Sequence, residues 1–462
     1  MTKNAIIVAD IGYGDAGKGS IVDFLVRQAE SAVVVRYNGG PQAAHNVVTP
    51  DGRHHTFAQL GSGSFVPGVR THLSRFMLVN PINMLREARQ LASLGAYDIW
   101  HRLSVEDGAV VILPWHQAAN RLRELARGNG RHGSCGQGVG EARSEALRYP
   151  DAAIRVKHLQ DVKALPAKLK EHRAALYQRL REELGNSDAI VSSEEWLPFT
   201  DAQLIPWLCQ MFRTWTAWTN VVDAGYLAQL AADHEQLVFE GAQGVLLDEA
   251  HGFYPYTTWS NTTPSNAQRL LSEIGYTSPV TKLGVLRAYA TRHGPGPFVT
   301  EDESLAEPLR EQHNGLGQWQ GAFRYGHIDL VAHRYAVDAC HGFDGLAVTG
   351  LDRLQSLPSW RFASTYKLEN APADADAYIK RTVEGAVRNL KPGPTTTRSY
   401  QARLTELLAS CSPIYQTISA TSTRYDDRES RLLQVIATHL GVPIHIVSHG
   451  PTAADKHALV FR

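Results

Sequence analysis

The stretch "AIIVADIGYGDAGKGS", residues 5–20, decides the fold. An apolar run ends in a glycine-rich turn, and "SIVDFLVRQAE" (20–30) continues with helical spacing at Ile21, Phe24 and Leu25. Strand, loop and helix in that order are what a phosphate-binding loop needs. Gly14, Gly17 and Gly19 let the backbone curl so that its N–H groups face one point, and the helix start adds a positive dipole end. Lys18 supplies a point charge for phosphate oxygens. The usual pattern is G-x-x-x-x-G-K-S/T. Gly12, Gly17 and Lys18 satisfy it, but Gly19 stands at the hydroxyl position and Asp15 puts an acid inside the loop. Phosphate repels a carboxylate unless a cation bridges them or the acid takes a proton from the reacting group. Both uses point to catalysis.

Outward from the loop, "AVVVRY" (32–37), "AVVIL" (109–113), "QLVFEGA" (236–242), "KLGVLRAYA" (282–290), "GLAVTG" (345–350) and "PIHIVS" (443–448) read as buried strands. "AALYQRLREEL" (174–184) and "ESRLLQVIATHLG" (429–441) read as helices, the second capped by Gly441. Apolar strands alternating with helices predict an α/β fold with a large, mostly parallel central sheet flanked by helices. The 462 residues suit two to four domains or one large α/β domain with insertions; the strand pattern favours one domain over 1–462, with helical insertions over approximately 80–235. Lys and Arg number 46, as do Asp and Glu, so charge gives no reason to expect nucleic acid or membrane as partner. Four scattered cysteines form no C-x-x-C pair, and no apolar run approaches membrane-spanning length. A cytoplasmic protein is expected.

Further segments carry chemistry. "RYNGGPQAAHNVV" (36–48) again runs from strand to glycine turn, with Gln42 and His45 behind it. A histidine there suits a transferring phosphoryl group. "FEGAQGVLLDEAHGFYPYTTWSNTTPSNA" (239–267) breaks from a strand into a run of Thr, Ser, Asn and Tyr, suited to a nucleobase or sugar. Asp352 follows one buried run, and Ser448 and Gly450 follow another. An acid held at such a turn can accept from a purine's ring N–H and exocyclic amine, selecting guanine.

Together these segments resemble the adenylosuccinate synthetase family, which joins inosine monophosphate (IMP) to aspartate using GTP. Family motifs W-G-D-E-G-K-G-K, R-Y-x-G-G-H-N-A-G-H and F-E-G-A-Q-G-x-x-L-D-x-x-H-G-x-Y-P-Y correspond to "YGDAGKGS", "RYNGGPQAAH" and "FEGAQGVLLDEAHGFYPY". "RAYATRHGPGPFVTE", "VTGLD" and "SHGP" match later family segments. The resemblance implies a phosphate-loop-related fold, a C–N ligase of purine biosynthesis, magnesium, and GTP or ATP as co-substrate. It implies Asp15 as base toward the purine N1 and His45 as helper of γ-phosphoryl transfer, with Gln243 near the 6-oxo group. Gly14, Gly17, Lys18, Gly19, Asp352, Ser448 and Gly450 would bind the nucleoside triphosphate. Gln42, Cys135, Gly136, Arg148 and Thr258 would bind the purine nucleotide. Arg148 matches an arginine that the family lends across a homodimer interface. Asp15 and Ala44 would hold the magnesium.

Departures from the family pattern are as informative. The acid after Asp15 becomes Ala16, and the lysine of T-K-L-D becomes Gly350. Cys135 replaces a phosphate-contacting threonine. The arginine-rich loop T-T-G-R-R-R-R-T-G aligns with "QWQGAFRYG" (318–326), leaving Arg324 beside Trp319 as the expected amine-binding residues. One arginine serves a dicarboxylate poorly, because bidentate pairing makes such contacts effective. A changed amine or purine nucleotide therefore stands beside aspartate and IMP. A nucleotide-binding regulator and a kinase that stops at the phosphorylated oxygen are the alternatives of another class.

Overall fold

The computed structural model describes residues 3–185, 188–311, 319, 321–394, 397–418 and 425–459. Ten strands form the central sheet: β1 (Asn4–Asp10), β2 (Ala32–Arg36), β3 (Arg70–Leu73), β4 (Leu103–Glu106), β5 (Asn220–Val222), β6 (Gln236–Gly244), β7 (Val280–Arg287), β8 (Gly345–Thr349), β9 (Ile444–Ser448) and β10 (Lys456–Ala458). Their spatial order is β10-β9-β8-β7-β1-β6-β2-β3-β4-β5. Every neighbouring pair is parallel except β9 with β10.

Both faces of the sheet's centre are covered, which explains the unbroken apolar runs. Ala5 and Ile7 of β1 join Val33, Val35, Leu237 and Phe239 on one face, under Leu227, Leu230 and Leu271. Val8 joins Val34 and Val238 on the other, under Ile21 and Val22 of helix α1 (Lys18–Val26). A parallel sheet needs this double covering, because each strand crosses over through a helix.

The insertion is helical as expected. Helices Pro81–Ser93, Pro114–Ala126, Leu165–Glu183 and Leu204–Trp218 bury Trp115 and Trp215 fully. The run 109–113 departs from expectation. Only Val110–Val111 is strand there, paired with Leu78–Val79 outside the central sheet. The insertion instead reaches that sheet through β4 and β5. β4, "LSVE", carries two polar side chains that face buried partners, such as His72 Nδ1 at 3.0 Å from Ser104 Oγ. Buried hydrogen bonding there replaces the apolar signal that marks the other strands.

A second sheet packs on the carboxyl-terminal half, built on Trp360–Leu368 and its partner Cys411–Ile418. Asp329 is buried at its junction with helix Leu330–Ala339. It caps Ala332 N at 3.0 Å and accepts from the Tyr366 hydroxyl at 2.5 Å. Burial pushes its carboxyl up to about 6.

Candidate active site

The loops at the carboxyl edge of the sheet meet in a cavity of about 660 Å3. The phosphate loop forms one wall. Gly17 adopts φ 85° immediately before α1, a conformation glycine reaches without steric cost. Asp10, at the end of β1, holds the loop from beneath. Its carboxylate accepts from Gly12 N at 2.8 Å, Ala16 N at 3.0 Å and Lys18 Nζ at 2.9 Å. Asp10 and Lys18 are both buried. Thr349 of β8 donates to Ala16 O at 2.8 Å. The lysine is thus oriented before any nucleotide arrives. Asp10 was not foreseen from the sequence, since a terminal acid on a strand carries no signal of its own.

Gly19 accounts for the departure from the usual motif. A Cβ at this position would lie 2.8 Å from His45 Cβ and 3.0 Å from Ser62 Oγ. The volume a serine or threonine would occupy is filled by the segment carrying His45.

His45 is anchored by a residue the sequence did not single out. Its Nδ1 lies 2.5 Å from Oε1 of Glu240, which is buried in β6. Ser62 N donates to the other carboxylate oxygen at 3.0 Å. Burial alone would raise the Glu240 pKa; the Arg36 cation and His45 override it and hold it down to about 2. Burial holds His45 below the ordinary histidine value, with Glu240 opposing. The ionised carboxylate accepts Nδ1–H and fixes the tautomer, so Nε2 is the ring's free working atom.

Asp15 and Gln243 both sit on left-handed backbone, with φ 58° and 56°. Arg287 donates to the Asp15 carbonyl. The Asp15 carboxylate is partly open to the cavity and lies 3.4 Å from His293 Nε2. Gln243 Oε1 and both amide atoms of Gln42 are buried without a hydrogen-bond partner among the described residues. Each unpaired buried group costs roughly 1–3 kcal/mol. Both glutamines line the cavity, so a bound ligand is the natural partner. Asn38 ties their two turns together, donating to Ala242 O and accepting from Ala242 N.

The structure brings Asp15, His45, Gln243, Gly14, Gly17, Lys18, Gly19, Gln42, Ala44, Cys135, Arg148 and Thr258 to this one cavity. Burial raises the Cys135 thiol above its usual value, leaving it a neutral weak donor. Asp352, Ser448 and Gly450 lie outside the cavity lining, at adjacent strand ends joined by Leu351 N donating to Ser448 O at 3.3 Å. Gly136 also lies outside the lining.

The amine-binding pair departs from expectation. Neither Arg324 nor Trp319 lines the cavity. Arg324 is engaged elsewhere: its Nε donates to Glu301 at 2.7 Å, and another nitrogen donates to Gly294 O and Gly296 O, both at 3.0 Å. Trp319 covers Gly136 and stands near Arg121 and Arg131. A guanidinium already in a bidentate ion pair has little left for a substrate carboxylate.

His116, Glu145 and His172 form a buried cluster of metal-type side chains beside the cavity. Its hydrogen bonding opposes metal binding. Leu113 N donates to His116 Nδ1 at 3.0 Å, and Trp115 Nε1 donates to His172 Nδ1 at 2.9 Å. Both rings therefore carry their proton on Nε2, facing Glu145 at 2.9 and 2.8 Å. A metal-ligating histidine shows the reverse polarity, donating from its second nitrogen. Arg179 closes the cluster on Glu145, which ties three helices together.

A phosphate loop with an internal acid, packed beside a carboxylate-anchored histidine at a nucleotide-sized cavity, defines an α/β enzyme of phosphoryl-transfer type. The comparisons narrow this. The adenylosuccinate synthetase family model matches residues 7–457. The adenylosuccinate synthetase of Acidithiobacillus ferrooxidans is 33% identical over 475 aligned positions, covering 98% of each chain. That of Anaeromyxobacter sp. (strain K) is 34% identical over 371, covering 80% of this chain and 82% of its own. The chain belongs to the adenylosuccinate synthetase family, whose members are C–N ligases of purine biosynthesis. The fully ligated enzyme of Plasmodium falciparum shares the fold, with TM-score 0.76 and 21% identity over 98% of this chain and 99% of that one. Cyanophage S-2L succinoaminodeoxyadenylate synthetase, bound to dGMP and dATP, aligns with TM-score 0.51 and 15% identity, covering 99% and 96%.

Proposed function

We propose that this chain joins an amine to C6 of a 6-oxopurine nucleotide resembling IMP, using a nucleoside triphosphate, GTP by family likeness. The carrying observation is the shared cavity of Asp15 and the Glu240-anchored His45 beside the phosphate loop. A lactam carbonyl resists substitution because its oxygen is a poor leaving group. Asp15 takes the N1 proton, which makes O6 nucleophilic. O6 attacks the γ-phosphorus and the nucleoside diphosphate departs. The amine then adds at C6 and expels phosphate. As the γ-phosphate nears His45, its negative charge favours protonation at Nε2, so the ring becomes a donor to the transferring group while Glu240 balances its charge. Gln243 brings its unpaired amide oxygen and Gln42 its unpaired amide to the purine, and Asp352, Ser448 and Gly450 serve base recognition of the triphosphate.

The Asp15 carboxylate and the Ala44 main chain, both at the cavity, are hard oxygen donors that suit magnesium. When bound, that ion neutralises charge on the phosphates. The balanced charge and family likeness support a cytoplasmic homodimer acting on small molecules, without nucleic acid or membrane. No described helix is long and apolar enough to cross a membrane.

Arg324, held by Glu301, favours a second reading in which the amine is not aspartate but a less acidic one. An assay with GTP or ATP, IMP or dGMP, and a panel of amines including aspartate tests both. A C6 adduct formed together with nucleoside diphosphate supports the ligase. Nucleotide binding with no adduct across the panel overturns it in favour of a regulator, and phosphorylated purine alone overturns it in favour of a kinase.

A further inference from the structure

The arginines lining the cavity are mostly neutralised from within. Arg123 pairs with Glu141 and Glu183, Arg127 with Glu124, Arg179 with Glu145, and Arg287 with Glu311. Arg148 lies in the field of Glu183. Arg398 differs. No carboxylate pairs with it among the described residues, and it is exposed along the cavity wall. Its guanidinium rests on aromatic faces instead, with Cζ 4.6 Å from the Trp259 ring centroid and 5.6 Å from that of Tyr254. A stacked guanidinium keeps its in-plane N–H donors free, and the rings fix the plane in which they point.

The position of this cation matters. Trp259 directly follows Thr258, and both line the same cavity as Asp15, His45 and Gln243. The Thr258 backbone is held by its N–H, which donates to Leu247 O at 2.7 Å. Trp259 is wedged against Gly140 of the helix Val139–Arg148, where a Cβ would lie 2.9 Å from the indole. The aromatic platform is thus rigid on both sides. A fixed hydroxyl residue beside an unpaired, pre-oriented guanidinium is suited to a phosphate monoester, which accepts bidentate pairing.

We propose that Arg398 binds the 5′-phosphate of the purine nucleotide from within the same chain. The residue opens the helix Arg398–Ala409, which lies far along the sequence from the phosphate loop and outside the family segments quoted above. The subsite thereby gains a cation that needs no partner subunit. This rests on the ligase reading but concerns a separate contact, so the two can fail separately.

The test is equilibrium titration of the full chain with IMP, in parallel with dGMP, and with GTP, for wild type, Arg398→Ala and Arg398→Lys. Steady-state KM for aspartate is measured alongside. Arg398→Ala is expected to weaken the purine monophosphate by roughly tenfold or more, and GTP by less than about twofold. Arg398→Lys recovers part of the loss, because it returns the charge without the fork. Monophosphate affinity unchanged in Arg398→Ala overturns the proposal. So does equal loss for GTP and monophosphate, or a loss confined to the KM of aspartate, which would assign the arginine to a carboxylate. Wild type binding neither monophosphate strikes the ligase reading and the proposal with it; monophosphate bound equally by wild type and Arg398→Ala strikes the proposal alone.

Discussion

Gly19 and His45 are packed so closely that the first cannot carry a side chain: a Cβ there would stand 2.8 Å from His45 Cβ and 3.2 Å from its carbonyl carbon. The loop is a phosphate loop whose hydroxyl has been exchanged for a histidine from the next strand–turn unit. Gly19→Ser restores the common motif on paper, yet should lower kcat by roughly 100-fold, the cost of a misplacement of about 1 Å. Steady-state turnover checks this. Near-normal kcat in Gly19→Ser would show that His45 can shift freely.

Glu240 acts through His45. Glu240→Gln keeps the shape but lets the amide present the wrong polarity to Nδ1. It is expected to lower kcat by roughly 100-fold while leaving GTP affinity within about threefold. A variant with unchanged kcat would remove the carboxylate from the mechanism. Since Glu240 is held down to about 2, it stays ionised across the working range, and the acid limb of the pH–rate profile should persist in its absence.

Asp15→Asn removes the proposed base and keeps the loop. Turnover should fall by roughly 1,000-fold while triphosphate binding stays measurable. Titration calorimetry separates the two quantities. Turnover near the wild-type rate would mean another group takes the purine proton.

Asp329 makes a prediction about stability. Its pKa is raised from an ordinary 3.8 to about 6, so the fold prefers the protonated acid. Its contribution is complete below the unfolded value and is lost as pH rises through about 6, up to roughly 3 kcal/mol. Asp329→Asn, which keeps the helix cap, should therefore raise Tm at pH 7.5, with the gain shrinking toward pH 4. A Tm difference independent of pH would contradict the assignment.

The sheet was legible where strands are apolar on both faces. β1, β2, β6, β7, β8 and β9 show as valine- and isoleucine-rich runs, and Gly441 ends its helix at φ 64° as its residue type suggests. β3 and β4 were not legible, because "RTHL" and "LSVE" satisfy buried polar groups through partners distant in sequence. The same reason hid Asp10, Glu240 and Arg398. Each is an ordinary charged residue until the fold sets it under a loop, behind a ring or over an indole. Asp15 was visible as an acid inside a glycine-rich loop and His45 as a histidine behind a strand and a glycine turn, whereas Gln243 was reached through the family resemblance.

Asp15 and Gln243 share one further property, the left-handed backbone beneath them. Side chains at such φ values cost roughly 1–3 kcal/mol each, a cost glycine escapes. Directed evolution for heat resistance alone would thus discard these two side chains early, and on the proposed mechanism the survivors would be hardier proteins unable to turn over. Only a screen that couples thermal survival to product formation would retain them.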